Sequence, residues 1–174
     1  MNEDEHHKEV FAYFGLAMFT AQVLEHAIVN ALVISDLIPK RRDKAASQES
    51  WSLEVDQFMD SHFENTMARL IKALGKVATV SGELEQSLGQ SLKVRNFLAH
   101  RYFRERDTVW LTEEGRDSMI AELQDARELF QKTDRLIEAL VEPLYRRYGF
   151  TEEALNRVYE EYRAEAFRRA NGER

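Results

Sequence analysis

Four side chains suited to phosphate chemistry fall within eight positions near the middle of the chain. They are Arg95, Asn96, His100 and Tyr102, in the stretch from Lys93 to Phe103. A histidine titrates near neutrality, so it can take a proton from a ribose 2′-hydroxyl or give one to a leaving oxygen. An arginine can hold a phosphate through two parallel N–H donors and stabilise charge building on its oxygens. Asn96 can position a phosphate or the imidazole. The set suits cleavage of a phosphodiester without a metal. Arg101, Arg104 and Arg106 cluster beside it as candidate contacts to an RNA backbone. Trp110 could stack a base, but a hydrophobic plug ahead of the next helix is the favoured reading.

Arg95 is out of place. At about 100° per residue, Leu84, Leu88, Leu92, Ala99 and Phe103 fall within about 80° of it on a helix. A charge inside an apolar stripe needs a partner, a ligand or a job, because burying it unpaired is costly. Gln22, His26 and Asn30, with Glu25 beside them, form a polar line through the first helix; a hydrogen-bond strip that fixes register is the favoured reading, and Glu25 or Gln22 facing and orienting Arg95 is the sharper one. Arg95 and His100 lie about 140° apart on an ideal helix. They converge through arginine's length, through unwinding at the helix end, or with one group from a second chain. Blander roles stay open for each residue alone. Arg95 suits a structural pair with Glu25, His100 a helix end that favours a cation, and Tyr102 a core position with its hydroxyl satisfied.

No competing chemistry is evident. The sequence has no phosphate-cradling glycine-rich loop, no His-Glu-x-x-His helix and no Gly-x-Ser-x-Gly elbow. No metal site or cofactor is expected. No cysteine is present, so there is no disulfide framework or thiolate site. The net charge of −7 argues against charge-driven coating of nucleic acid but leaves room for a small basic site. The acidic N-terminus does not resemble a signal peptide, so a cytoplasmic protein is expected.

The elements that must position the motif are few and long. In 174 residues there are only two prolines and seven glycines, which favours an all-α class. A single domain is expected, a bundle of about five helices, with a C-terminal helix over about 151–170 as an appended element. The first helix is expected from about Asp4 to Leu37, ended by Pro39. Apolar on nearly every face, it suits one interface with its own core and one with a second chain. A membrane span is the weaker alternative, since Gln22, Glu25, His26 and Asn30 interrupt the run. Residues 39–50 read as a loop carrying Lys40, Arg41, Arg42 and Lys44. The second helix is expected over about Leu53 to Val77, with Gly75 and Ser81-Gly82 marking a turn. The third starts at a Ser81 cap and carries the motif. The fourth runs from a Thr112 cap to about Tyr148, kinked by Pro143 and stopped by Gly149. Thr151 caps the fifth.

Arg95-Asn96-Phe97-Leu98-Ala99-His100-Arg101-Tyr102 resembles the R-x4-H-x-Y signature of HEPN domains, in the form found in HEPN ribonuclease toxins of toxin–antitoxin pairs. The resemblance covers eight residues, with Asn96 in the polar slot. It implies an all-α bundle that dimerises with two motifs facing across a cleft, and RNA cleavage without a metal. Arg95, Asn96 and His100 become the catalytic set. The resemblance also implies a nucleotidyltransferase antitoxin as partner, with Tyr102 lining the site or receiving an adenylyl group. A non-catalytic module binding nucleotide, RNA or protein is the alternative, and a purely structural helical dimer the second.

Overall fold

The computed structural model describes residues 3–171, including the side chains of all of these except 152 and 155. The protein is an all-α bundle. Helix α1 spans Glu3–Leu32. Pro39 does not end it. A π-helical turn at Val33–Leu37 carries the chain into a short α2, Ile38–Arg41, with Pro39 in its first turn. The Ile38 N–H reaches back five residues to the Val33 carbonyl. A proline ring crowds the carbonyl four residues before it, and the wider turn accommodates that crowding without breaking the rod.

The expected loop over 39–50 is therefore mostly helical. A 3-10 turn at Arg42–Lys44 follows α2, and α3 begins at Gln48 and runs to Phe63. Ser47 and Ser50 form a reciprocal cap at its start, with N···O distances of 3.0 and 3.1 Å. Lys40 pairs with Asp36, and Arg41 with Glu54.

The single second helix expected over 53–77 is two helices, α3 and α4 (Met67–Val77). Asn65 causes the break. Its side-chain nitrogen donates to the Ser61 carbonyl at 2.8 Å and its backbone N–H to His62 at 2.9 Å. Such side-chain bonds compete with the helical ladder. Thr66, extended at φ −71° and ψ 151°, then starts α4. Gly75 lies inside α4 and does not mark the turn. Helix α5 spans Gly82–His100 from the expected Ser81 cap, and a one-turn α6 follows at Tyr102–Glu105. Helix α7, Glu113–Tyr148, begins at Thr112, whose hydroxyl accepts the Gly115 N–H at 3.1 Å.

The core gathers Ala17, Ala21, Leu24 and Ile28 of α1, Leu70 and Leu74 of α4, and Leu84, Leu88 and Leu98 of α5. Met119, Leu123, Phe130 and Ile137 of α7 are buried too. Helix α1 packs on α3, α4 and α5. By length and composition α1 and its continuation could cross a membrane, yet 44% of the most apolar window is buried inside the protein. A buried hydroxyl network ties α5 to α7: Ser87 and Ser91 meet Thr133 at 2.6 and 2.8 Å. At the other end of α7, buried Arg116 donates to His6 Nδ1 at 3.3 Å and to the Trp110 carbonyl at 2.9 Å. This ties the start of α1 to the start of α7.

The chain groups into two compact units, residues up to Leu140 and residues from Val141. The boundary lies within α7, where no linker composition marks it. In the second unit α7 passes Pro143 and ends at Tyr148. Gly149 takes φ +76°, the Phe150 N–H bonds the Tyr145 carbonyl at 2.9 Å, and the Gly149 N–H bonds Arg146 at 3.2 Å. Together with the Tyr145–Phe150 ring contact, this is the glycine-stopped helix end expected there. Helix α8, Glu152–Ala170, starts at Thr151, whose hydroxyl accepts the Ala154 N–H.

Candidate functional site

The motif straddles a helix end. Arg95, Asn96 and His100 occupy the last two turns of α5, and His100 is its final residue. Arg101, at φ −137° and ψ −15°, breaks the helix, and Tyr102 opens α6. The break sends the two ends of the motif to different places.

Tyr102 goes into the core. It is 1% exposed, and its hydroxyl donates to the Met119 carbonyl at 3.1 Å. Phe14, Phe97 and Phe103 surround its ring at centroid distances of 5.8, 5.6 and 5.3 Å. Burial, then the nearby Glu122 carboxylate, pushes its pKa well above the ordinary phenol value. The expectation that Tyr102 lines the site is corrected: the phenol is in the core, with its one proton committed. An adenylyl group on this oxygen would require α6 to open first.

Arg95, Asn96 and His100 face a cleft instead. The cleft has a volume of about 540 Å³ and is lined by Thr66, Met67, Ala68, Leu92, Arg95, Asn96, His100 and Arg101. The C-terminal turns of α5 form one wall and the first turn of α4 the other. Arg95 and His100 thus border one cleft within a single chain despite their angular separation on the helix.

Of the two side chains offered as orienting partners, Glu25 bonds the arginine, and no bond to it from Gln22 occurs among the described residues. The Arg95 Nε donates to Glu25 Oε1 at 2.9 Å, and one terminal nitrogen donates to Asn96 Oδ1 at 3.4 Å. Arg95 and Glu25 are 29% and 22% exposed, so the pair is shielded but not sealed. These two bonds use the Nε–H and the terminal nitrogen Nη1 on different sides of the guanidinium. Its other terminal nitrogen, Nη2, bonds no protein acceptor among the described residues, which leaves that nitrogen's donors for an anion. His100 is exposed, so its imidazole is open to a ligand.

The neighbouring arginines divide. Arg101 lines the cleft, stands 5.7 Å over the Phe97 ring and lies 3.4 Å from Glu105. Arg104 is 75% exposed and near Glu105 at 3.8 Å. Arg106 is structural: it grips Glu122 with two bonds of 2.9 and 2.6 Å and lies over the Phe97 and Tyr102 rings. Its place among candidate RNA contacts is corrected, because its charge is taken by Glu122. Trp110 is the expected plug, stacked on His7 at 4.6 Å and beside Phe11 and Phe103. Lys40, Arg41, Arg42 and Lys44 do not line the cleft.

Thr66, Met67 and Ala68 were not expected at the site. The signal was present in Asn65-Thr66, a turn residue followed by a cap-forming one. The Thr66 hydroxyl makes no cap bond. The positive end of α4 therefore faces the same cleft as Arg95, Arg101 and His100, which favours an anionic occupant. The chain matches no protein-family model, no curated protein and no solved structure.

Proposed function

We propose that the protein is a metal-independent ribonuclease of HEPN type. The observation that carries this reading is the convergence of Arg95, Asn96 and His100 on one cleft, with Glu25 fixing the arginine. The free terminal nitrogen of Arg95, with the first turn of α4, holds the scissile phosphate. His100 takes the proton from a ribose 2′-hydroxyl, and that oxygen attacks the adjacent phosphorus. The bond to the 5′-oxygen breaks, and that oxygen receives a proton. The products are a 2′,3′-cyclic phosphate and a 5′-hydroxyl. One imidazole per cleft serves one proton transfer at a time, so a second copy facing the first supplies the other. The reading therefore includes a homodimer, with a toxin or defence role and a nucleotidyltransferase antitoxin as the resemblance implies.

The test is incubation of the purified protein with RNA in EDTA. Cleavage is expected for the parent and lost in His100→Ala and Arg95→Ala. No cleavage by the parent, or equal cleavage by both variants, sinks the proposal.

The Arg95–Glu25 bond favours a second reading, in which Arg95 only holds α5 to α1. That reading predicts that Arg95→Ala lowers the melting temperature and that RNA neither binds nor is cut.

A further inference from the structure

The polar line of α1 does not fix register through hydrogen bonds. Gln22, His26 and Asn30 are all exposed, and none has a hydrogen-bond partner among the described residues. What His26 meets is Phe63: the ring centroids are 4.4 Å apart, with the planes tilted by 42°. Phe63, the last residue of α3, is itself 38% exposed. The other histidines set His26 apart. Of the five in the chain, His6 is buried against Arg116 and Asp117, His7 stacks on Trp110, and His62 bonds the Phe58 carbonyl. His26 and His100 are the two that are exposed, with ring nitrogens unbonded among the described residues.

Two connections put the His26–Phe63 pair next to the candidate cleft. Glu25, the residue before His26, bonds Arg95 of one wall. Phe63 precedes Thr66 of the other wall by three residues, at most about 11 Å between Cα atoms. Neither ring lines the cleft itself, so the pair adjoins the phosphate site and has no part in proton transfer there.

We infer that the exposed His26–Phe63 pair is a stacking platform for a base of single-stranded RNA, flanking the nucleotide held at the scissile phosphate. The inference rests on the ribonuclease reading above for its substrate and adds a subsite outside the cleft. Aromatic rings beside a cationic groove are how proteins hold single strands, because every base has a face to stack. A duplex keeps its bases inside, so such a platform selects unpaired RNA. Gln22 lies one turn before His26 and about 40° from it around the helix. Its free amide offers a donor and an acceptor to the edge of the same base.

The experiment measures cleavage and binding of a single-stranded RNA oligonucleotide by the full chain in EDTA. Binding is read on the His100→Ala background, so that the RNA stays whole. His26→Ala and Phe63→Ala should each weaken binding about tenfold. Each should raise KM by the same factor with kcat kept, whereas His100→Ala lowers kcat. Phe63→Tyr keeps a ring and should retain the parent's affinity. His26→Ala alters a side chain already in solvent and should melt with the parent. Removing the bases of the oligonucleotide one at a time should find a position where the parent loses affinity and Phe63→Ala loses no more. Parent-like affinity and KM in both alanine variants, whatever their melting, or a scan without such a position, overturns the platform. RNA held by the pair but not cut removes the ribonuclease reading and leaves the platform standing. RNA cut equally by parent and both alanine variants does the reverse, and a parent that binds no RNA removes both.

Discussion

His100 and Tyr102 stand two positions apart and meet opposite environments. The imidazole is in solvent at the end of α5, and the phenol is in the core. Replacing His100 should therefore leave stability unchanged while lowering cleavage by about 10²–10⁴-fold, the usual worth of a positioned acid or base. A drop in the melting temperature of His100→Ala would mark it as structural. Tyr102→Phe should do the opposite. It removes the bond to the Met119 carbonyl, costing about 0.5–1.5 kcal/mol in denaturant titration, and leaves cleavage intact. The pH dependence follows from the raised phenol pKa. The folded state holds that proton more tightly than the unfolded chain. The stabilisation is thus fully present below about pH 10, the ordinary tyrosine value, and fades as pH rises above it. Alkaline unfolding should be less steep in Tyr102→Phe than in the parent; identical profiles would contradict the burial argument.

At the scale of elements, the site depends on where helices start and stop. Local signals were legible. Ser81, Thr112 and Thr151 start helices where a hydroxyl can accept an orphan N–H, and Gly149 stops one with a positive φ. Two features were not legible, because they depend on competition between bonds. Pro39 reads as a stop, yet a π turn absorbs it. The Asn65 side chain divides what the apolar spacing presents as one helix, and that division puts α4's first turn at the cleft. The motif itself was legible by residue type, but the fates of Tyr102 and Arg106 were set by Met119 and Glu122, far along α7. The start of α7 is tightly held. A Cβ on Gly115 would lie 1.9 Å from the Val109 carbonyl oxygen, which is backbone and cannot step aside. Gly115→Ala should cost about 1–3 kcal/mol by thermal or chemical unfolding. At the α5–α7 contact, Thr133→Val leaves Ser87 and Ser91 without their shared partner. A loss of about 1–3 kcal/mol is expected; an unchanged unfolding midpoint would mean that those hydroxyls find other partners.

At the scale of the molecule, an acidic chain of net charge −7 presents one cleft where an arginine, a histidine and a helix start converge. That contrast predicts a local electrostatic grip on RNA and marked weakening of binding by salt. Association rates measured at two ionic strengths should differ several-fold, and equal rates would count against a charged site. The all-α class followed from sparse proline and glycine, whereas the grouping of residues from Val141 as a separate unit lay hidden inside a continuous helix. The most direct test of the central claim is the chemistry of the cut ends. A defined RNA oligonucleotide is incubated with the protein in EDTA, and the fragments are weighed by mass spectrometry. Fragments ending in 2′,3′-cyclic phosphate, present with the parent and absent with His100→Ala, are the predicted result. Intact RNA with the parent, or the same cyclic ends with His100→Ala, would contradict it.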